Sequence, residues 1–130
     1  MHILLDTNAY ARFMFGHPKA VATVRSAVSV ALNAIVLGEL LSGFRRGNRE
    51  AANREQLQSF VATYTTTLLP IGEETAERYA ALLSTVRRLG RPIPTNDLWI
   101  AASALETGRT LVTADRHFDE LELIPVILLT

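Results

Sequence analysis

Cysteine is absent from the sequence. That excludes disulfide scaffolds, thiolate metal sites and cysteine nucleophiles, and it is compatible with a reducing cytoplasm. Lysine is almost absent: Lys19 is the single example among 13 basic residues, and the other 12 are Arg. No apolar run approaches the roughly 20 residues of a membrane span. The opening MHILLDTNAY lacks a basic region and does not read as a signal peptide. Gly16, Gly38, Gly43, Gly47 and Gly72 are scattered, so no Gly-rich phosphate loop supports an ATP or dinucleotide domain. His2, His17 and His117 show no metal-ligand spacing. Excess charge is lacking too: 13 basic residues balance 13 acidic ones. Bulk charge therefore points to no nucleic-acid partner.

What is present suits one folded domain spanning residues 1–130. Of the 130 residues, 48% are hydrophobic, enough for a core, and the balanced charge argues against disorder. No repeat, low-complexity segment or linker interrupts the chain. Strand and helix patterns alternate along it. Strands are expected at 2–5, 28–32, 66–71, 110–113 and 125–129. Helices are expected at about 8–15, 18–27, 34–46, 49–64, 73–89 and 96–107. Asn33 is the expected N-cap of the helix from 34, and Gly90 and Gly108 the expected stops of theirs. In 73–89, the residues Ala76, Tyr79, Ala80, Leu83 and Val86 share one face. Apolar strands separated by helices indicate a parallel sheet covered on both sides, a three-layer α/β/α domain. Ligands of such sheets bind beyond the carboxyl ends of the strands.

That rule directs attention to the acids. Only four of the 13 are Asp: Asp6, Asp97, Asp115 and Asp119. Asp6 directly follows the first strand, and Asp115 follows TLVT by two residues. Asp97 opens the helix behind Pro94-Thr95-Asn96, where a lone carboxylate would only complement the helix dipole. The sequence after it, LWIAA, leaves no polar face, so Asp97 enters a mostly dry environment. Glu39 is the single charge in AIVLGELLSGF, with no Lys or Arg three or four residues away. Either it reaches solvent at a helix edge, or it is buried and needs a cation, a donor network or a proton. Asp119 lies four residues after Asp115, in an acidic segment that reads as a solvated loop or a short helix. Glu120 and Glu122 belong to its solvated face.

If Asp6, Glu39, Asp97 and Asp115 converge, their mutual repulsion calls for hard cations. A sulfur-free carboxylate site favours Mg²⁺ or Mn²⁺ and suits phosphoryl chemistry. Competing chemistries fit less well. An aspartyl phosphatase would place a second acid where Asn8 stands, and a phosphoacceptor receiver domain would need a Lys near the site.

The segments LLDTNAY (4–10), GELLSG (38–43), PTNDLWIAA (94–102) and TADRHFDEL (113–121) together resemble the PIN-domain ribonucleases, most closely the VapC-type toxins of bacterial toxin–antitoxin pairs. Each piece alone is weak, but their order and spacing cover nearly the whole chain. The resemblance implies a five-stranded parallel sheet in the order 3-2-1-4-5 and a Mg²⁺- or Mn²⁺-dependent endoribonuclease. It maps Asp6, Glu39, Asp97 and Asp115 onto the family's acidic quartet, as catalytic residues and metal ligands. Asn8 and Thr113 match polar positions beside the quartet, and Asp119 a position where some members carry a further acid. In this scheme Thr113 orients Asp6 or a ligand water. Attack of activated water on RNA leaves a 5′-phosphate and a 3′-hydroxyl. Arg116 either contacts substrate phosphate or pairs with Asp119 or Glu120. RNA over DNA rests on the resemblance alone, and a degenerate module that binds without cleaving is the non-enzymatic alternative.

The resemblance further implies a cognate VapB-type antitoxin and a homodimer, with no membrane attachment. The segment Tyr10–Phe15 is apolar for a short helix, so Phe13 and Phe15 either pack into the core or form part of an interface. Metal loading would also expose a cationic remainder: Arg45, Arg46, Arg49 and Arg54 in one stretch, and Arg87, Arg88 and Arg91 in another. Arg suits bidentate phosphate contact.

Overall fold

A computed structural model describes the backbone of residues 1–130 and every side chain except those of Glu120 and Leu121. Five strands, β1 (His2–Leu5), β2 (Ser29–Asn33), β3 (Thr67–Leu69), β4 (Thr110–Thr113) and β5 (Val126–Leu128), form one parallel sheet. Their order is β3-β2-β1-β4-β5, as the resemblance implied. The helices are α1 (Thr7–Met14), α2 (Pro18–Ser26), α3 (Ala34–Arg46), α4 (Glu50–Thr63), α5 (Glu73–Leu89), α6 (Thr95–Thr107) and α7 (Arg116–Leu121). Parallel pairing buries the central strands on both faces. Ile3, Leu4, Leu5, Ala31, Leu32, Leu111 and Val112 are all but inaccessible, hence their unbroken apolar sequence. Among the described residues, no helix is long and apolar enough to cross a membrane.

The differences from expectation lie at edges and on one helix face. β3 and β5 contract to three residues each, as suits edge strands paired on one side only. The acidic segment after Asp115 is helical, as α7. On α5 the buried residues are Thr75, Leu82 and Val86, whereas Ala76 and Ala80 are exposed. The apolar stripe read from the sequence is therefore rotated. Thr75, a polar residue that an apolar pattern leaves out, lies on the buried face with Leu82 and Val86, and its hydroxyl donates to Glu106 Oε2 (2.6 Å) and accepts from Gly72 N (3.1 Å). Tyr79 of α5 stacks flat on Trp99 of α6, with ring centroids 4.0 Å apart.

Three backbone devices place functional groups at the carboxyl rim. Asp6 leaves β1 still bonded to its neighbour, with its N–H on Val112 O (3.2 Å), and then caps α1 through Ala9 N (2.7 Å). Asn33 ends β2 and caps α3 through Val36 N (2.9 Å). Its amide also donates to Ser103 Oγ (2.9 Å) and Trp99 O (3.5 Å), which ties α3 to α6. Asp115 caps α7 through His117 N (2.9 Å).

Candidate active site

Asp6, Glu39, Asp97 and Asp115 come from four different elements. Asp6 is 7% exposed. Burial pushes its carboxyl up from the ordinary value. Hydrogen bonds from the Thr113 hydroxyl and Ala9 N–H oppose the rise, and the charges of Asp115 and Glu39 add to it. Asp97 is half-buried in the first turn of α6. Burial comes first among its causes, then the charges of Asp6, Asp115 and Glu39, and together they push it up to about 6. A helix N-terminus acting alone would favour the carboxylate and move the pKa down. The upward shift means that desolvation and three like charges outweigh the dipole, so Asp97 is more than a dipole partner. All four acids thus share one electrostatic site at the rim.

Glu39 falls between the two alternatives its apolar segment left open: it is neither fully buried nor out in solvent, and it has a donor network. It is half-buried, and both its oxygens have donors: Thr7 Oγ1 lies 2.5 Å from Oε1 and Asn96 Nδ2 lies 3.4 Å from Oε2. The sequence reading missed Thr7 and Asn96. Their signal was adjacency, since each stands next to a quartet Asp, in DTN and in TND.

Thr113 is inaccessible to solvent and lies between two acids. Its hydroxyl accepts from Asp115 N (3.0 Å) while bonding to the Asp6 carboxylate. The supporting positions fare differently. Asn8 is exposed, because the helical turn points Thr7, not Asn8, at Glu39. Asp119 is exposed on α7, and its charge does not figure among those raising Asp6 or Asp97. Arg116 is exposed beside Asp115. The pairing of Arg116 with Glu120, and the place of Glu120 on a solvated face, lie outside the described side chains. His117 is a partner the sequence did not assign, with Nδ1 3.0 Å from Asp115 Oδ1.

The segment Tyr10–Phe15 divides between the two expected roles. Tyr10 and Phe13 pack edge-on against Phe60, and Phe13 also meets Tyr64. Phe15 is 91% exposed and Met14 37%. Phe13 and Met14 line an open groove of about 520 Å³ between α1 and α4.

Comparison with known proteins agrees with the fold. The sequence profile of the PIN domain matches residues 3–123. The ribonuclease VapC1 of Haemophilus influenzae is 31% identical over 118 residues, covering 87% of this chain and 86% of that protein. The structure of VapBC-1 from nontypeable Haemophilus influenzae superposes with a TM-score of 0.85 at 25% identity, covering 98% of both chains. VapBC-5 from Mycobacterium tuberculosis, of the VapBC family of toxin–antitoxin systems, superposes with a TM-score of 0.74 at 27% identity over 98% of this chain and 97% of that one. A matched profile over most of the length, a VapC relative above 30% identity and the shared strand order lead to one conclusion: the chain belongs to the PIN-domain family, in its VapC group.

Proposed function

We propose that this chain is a Mg²⁺- or Mn²⁺-dependent endoribonuclease, the toxin partner of a VapB-type antitoxin, working in the cytoplasm as a homodimer. The observation that carries the reading is the meeting of Asp6, Glu39, Asp97 and Asp115 at one rim, where burial first and then the charges of the other three push Asp97 up to about 6. Four carboxylates gathered without a cation among them repel one another, and hard divalent ions relieve that repulsion.

The donor set fits such an ion. It is all oxygen, drawn from carboxylates, hydroxyls and an amide, and the chain has no cysteine to offer a thiolate. Among the described residues no group of three acids or histidines is placed to hold a metal ion. A Mg²⁺ ion at this rim would keep several of its waters and take one or two carboxylates. Asp6, Asp97 and Asp115 are the residues that would hold it. When bound, a divalent cation lowers the pKa of its water and offsets charge on a phosphate.

The chain's own groups supply orientation and proton handling. Thr113 holds the Asp6 carboxylate and the turn into Asp115 through one hydroxyl, which ties the two residues together at the rim. Thr7 donates to Glu39 Oε1 and Asn96, over a longer contact, to Oε2, whose second lone pair would accept from an attacking water. Asp97 must shed its proton before it can serve as a ligand, so metal uptake by the metal-free protein strengthens as pH rises through about 6. RNA as the substrate follows the relatives named ribonucleases.

A cutting assay tests the reading. Purified protein should cleave RNA with Mg²⁺ or Mn²⁺ and stop in excess EDTA. Asp6→Asn should abolish cutting while the fold persists, because Asn is also a good N-cap for α1. Undiminished cutting by that variant, or in EDTA, contradicts the proposal.

A further inference from the structure

The outer face of α3 carries a stripe with no packing role. Gly38, Ser42 and Arg46 stand four residues apart on it and are exposed, and Glu39 sits beside Gly38. With Thr7 and Asn96 they line an open cavity of about 590 Å³, separate from the aromatic groove between α1 and α4. That volume lies within the range of ligand sites. One end of the cavity is the Glu39 carboxylate of the acidic quartet, and the other is Arg46, seven residues and about 10 Å further along the axis.

We infer that this groove is a substrate subsite in which Arg46 and Ser42 bind the backbone phosphate next to the one being cut. The inference rests on the ribonuclease reading and adds to it a named substrate contact. Arg46 folds back along the helix, with Nη1 donating to Ser42 Oγ at 3.1 Å. That contact brings the guanidinium a turn nearer to Glu39. It leaves the remaining guanidinium N–H groups and the Ser42 hydroxyl hydrogen free to donate to an anion. Neighbouring arginines are already engaged: Glu50 Oε2 lies 3.8 Å from Arg45 Nε and 3.0 Å from Arg54 Nε. Among the described residues, no carboxylate pairs with Arg46.

Gly38 is the second observation. Glycine is a poor choice for the interior of a 13-residue helix. Nothing lies within 4 Å of the position a Cβ would take there, so packing does not require it. The missing side chain instead keeps the groove floor open between the carboxylate end and the arginine end. A phosphodiester chain lying over Gly38 would place one phosphate at the quartet and present the next to the planar fork of Arg46.

The test measures binding of a short, mixed-sequence, fluorescein-labelled RNA by anisotropy in EDTA, at salt from about 0.05 to 0.2 M. Removing one phosphate contact to a single strand reduces the slope of log K against log salt by about 0.7, which is about fivefold in affinity near 0.1 M salt. Arg46→Gln should show both changes, and Arg45→Gln neither. Gly38→Leu should bind more weakly while its Tm stays at or above the wild-type value, a pairing that a purely structural glycine would not produce. Unchanged affinity and slope in Arg46→Gln, an equal loss in Arg45→Gln, unweakened binding by Gly38→Leu, or no RNA binding by the wild-type protein overturns the inference. Wild-type protein that binds this RNA by these rules yet cuts no RNA with Mn²⁺ overturns the ribonuclease reading and leaves the groove standing.

Discussion

At the scale of single residues, the site is defined by what its acids lack. Asp97 rises to about 6, through burial first and then the charges of Asp6, Asp115 and Glu39. An unfolded Asp titrates near 3.9. Between these values the folded state holds more protons than the unfolded state. The metal-free protein therefore loses stability as pH rises through that window, and this contribution is fully present only below it. Melting in EDTA should give a higher Tm near pH 5 than near pH 7 as far as Asp97 decides it, and Asp97→Asn should flatten the difference and raise Tm at the higher pH. A variant that melts lower than wild type near pH 7 would show that Asp97 is stabilised by a partner, not repelled. Thr7 makes the complementary case. Thr7→Val removes the donor to Glu39 Oε1, and the loss of such supporting partners typically costs about 10–100-fold in activity. Steady-state cutting rates check this, and an unchanged rate would mean that Glu39 needs no orientation. The acids themselves were legible in the sequence, because strand ends and an apolar helix expose a misplaced charge. The donors of Glu39 were not, since Thr7 and Asn96 lie 32 and 57 residues from it and meet it only in the fold.

At the scale of elements, the rim is held by side chains that close strand-to-helix turns. Asn33 caps α3, which carries Glu39, and reaches Ser103 and Trp99 on α6, which carries Asp97. Asn33→Ala removes a cap worth about 1 kcal/mol and leaves a buried hydroxyl without its donor at about 1–3 kcal/mol. Chemical denaturation should therefore show a loss of about 2–4 kcal/mol. A loss below about 1 kcal/mol would mean that the α3–α6 tie is dispensable. The cap was readable from Asn33 standing between a β-branched run and a helical pattern. Its link to Ser103 spans 70 residues and was not. The same limit applies to α5: an apolar pattern leaves out Thr75, which is buried with its hydroxyl bonded to Glu106 on another helix, a partner 31 residues away.

At the scale of the whole molecule, neutrality conceals a division of charge. The quartet concentrates negative charge at one rim, while 12 arginines are spread over the rest of the chain. Divalent ions at the rim would leave a net cationic protein facing a polyanion. The aromatic groove between α1 and α4 is a separate surface. Phe15, exposed beside it, is the side chain to change, because Phe13 is engaged with Phe60 and Tyr64. Phe15→Ser should leave Tm nearly unchanged and weaken co-purification with the antitoxin, and retention of the full complex would remove Phe15 from the interface. The central claim is that the four carboxylates form a divalent metal site. Calorimetric titration of the wild-type protein with Mn²⁺ tests it most directly. The account predicts saturable binding near pH 7.5, weaker below about pH 6 where Asp97 keeps its proton, and lost in Asp6→Asn. Absence of binding by the wild-type protein, or equal binding by Asp6→Asn, would contradict it.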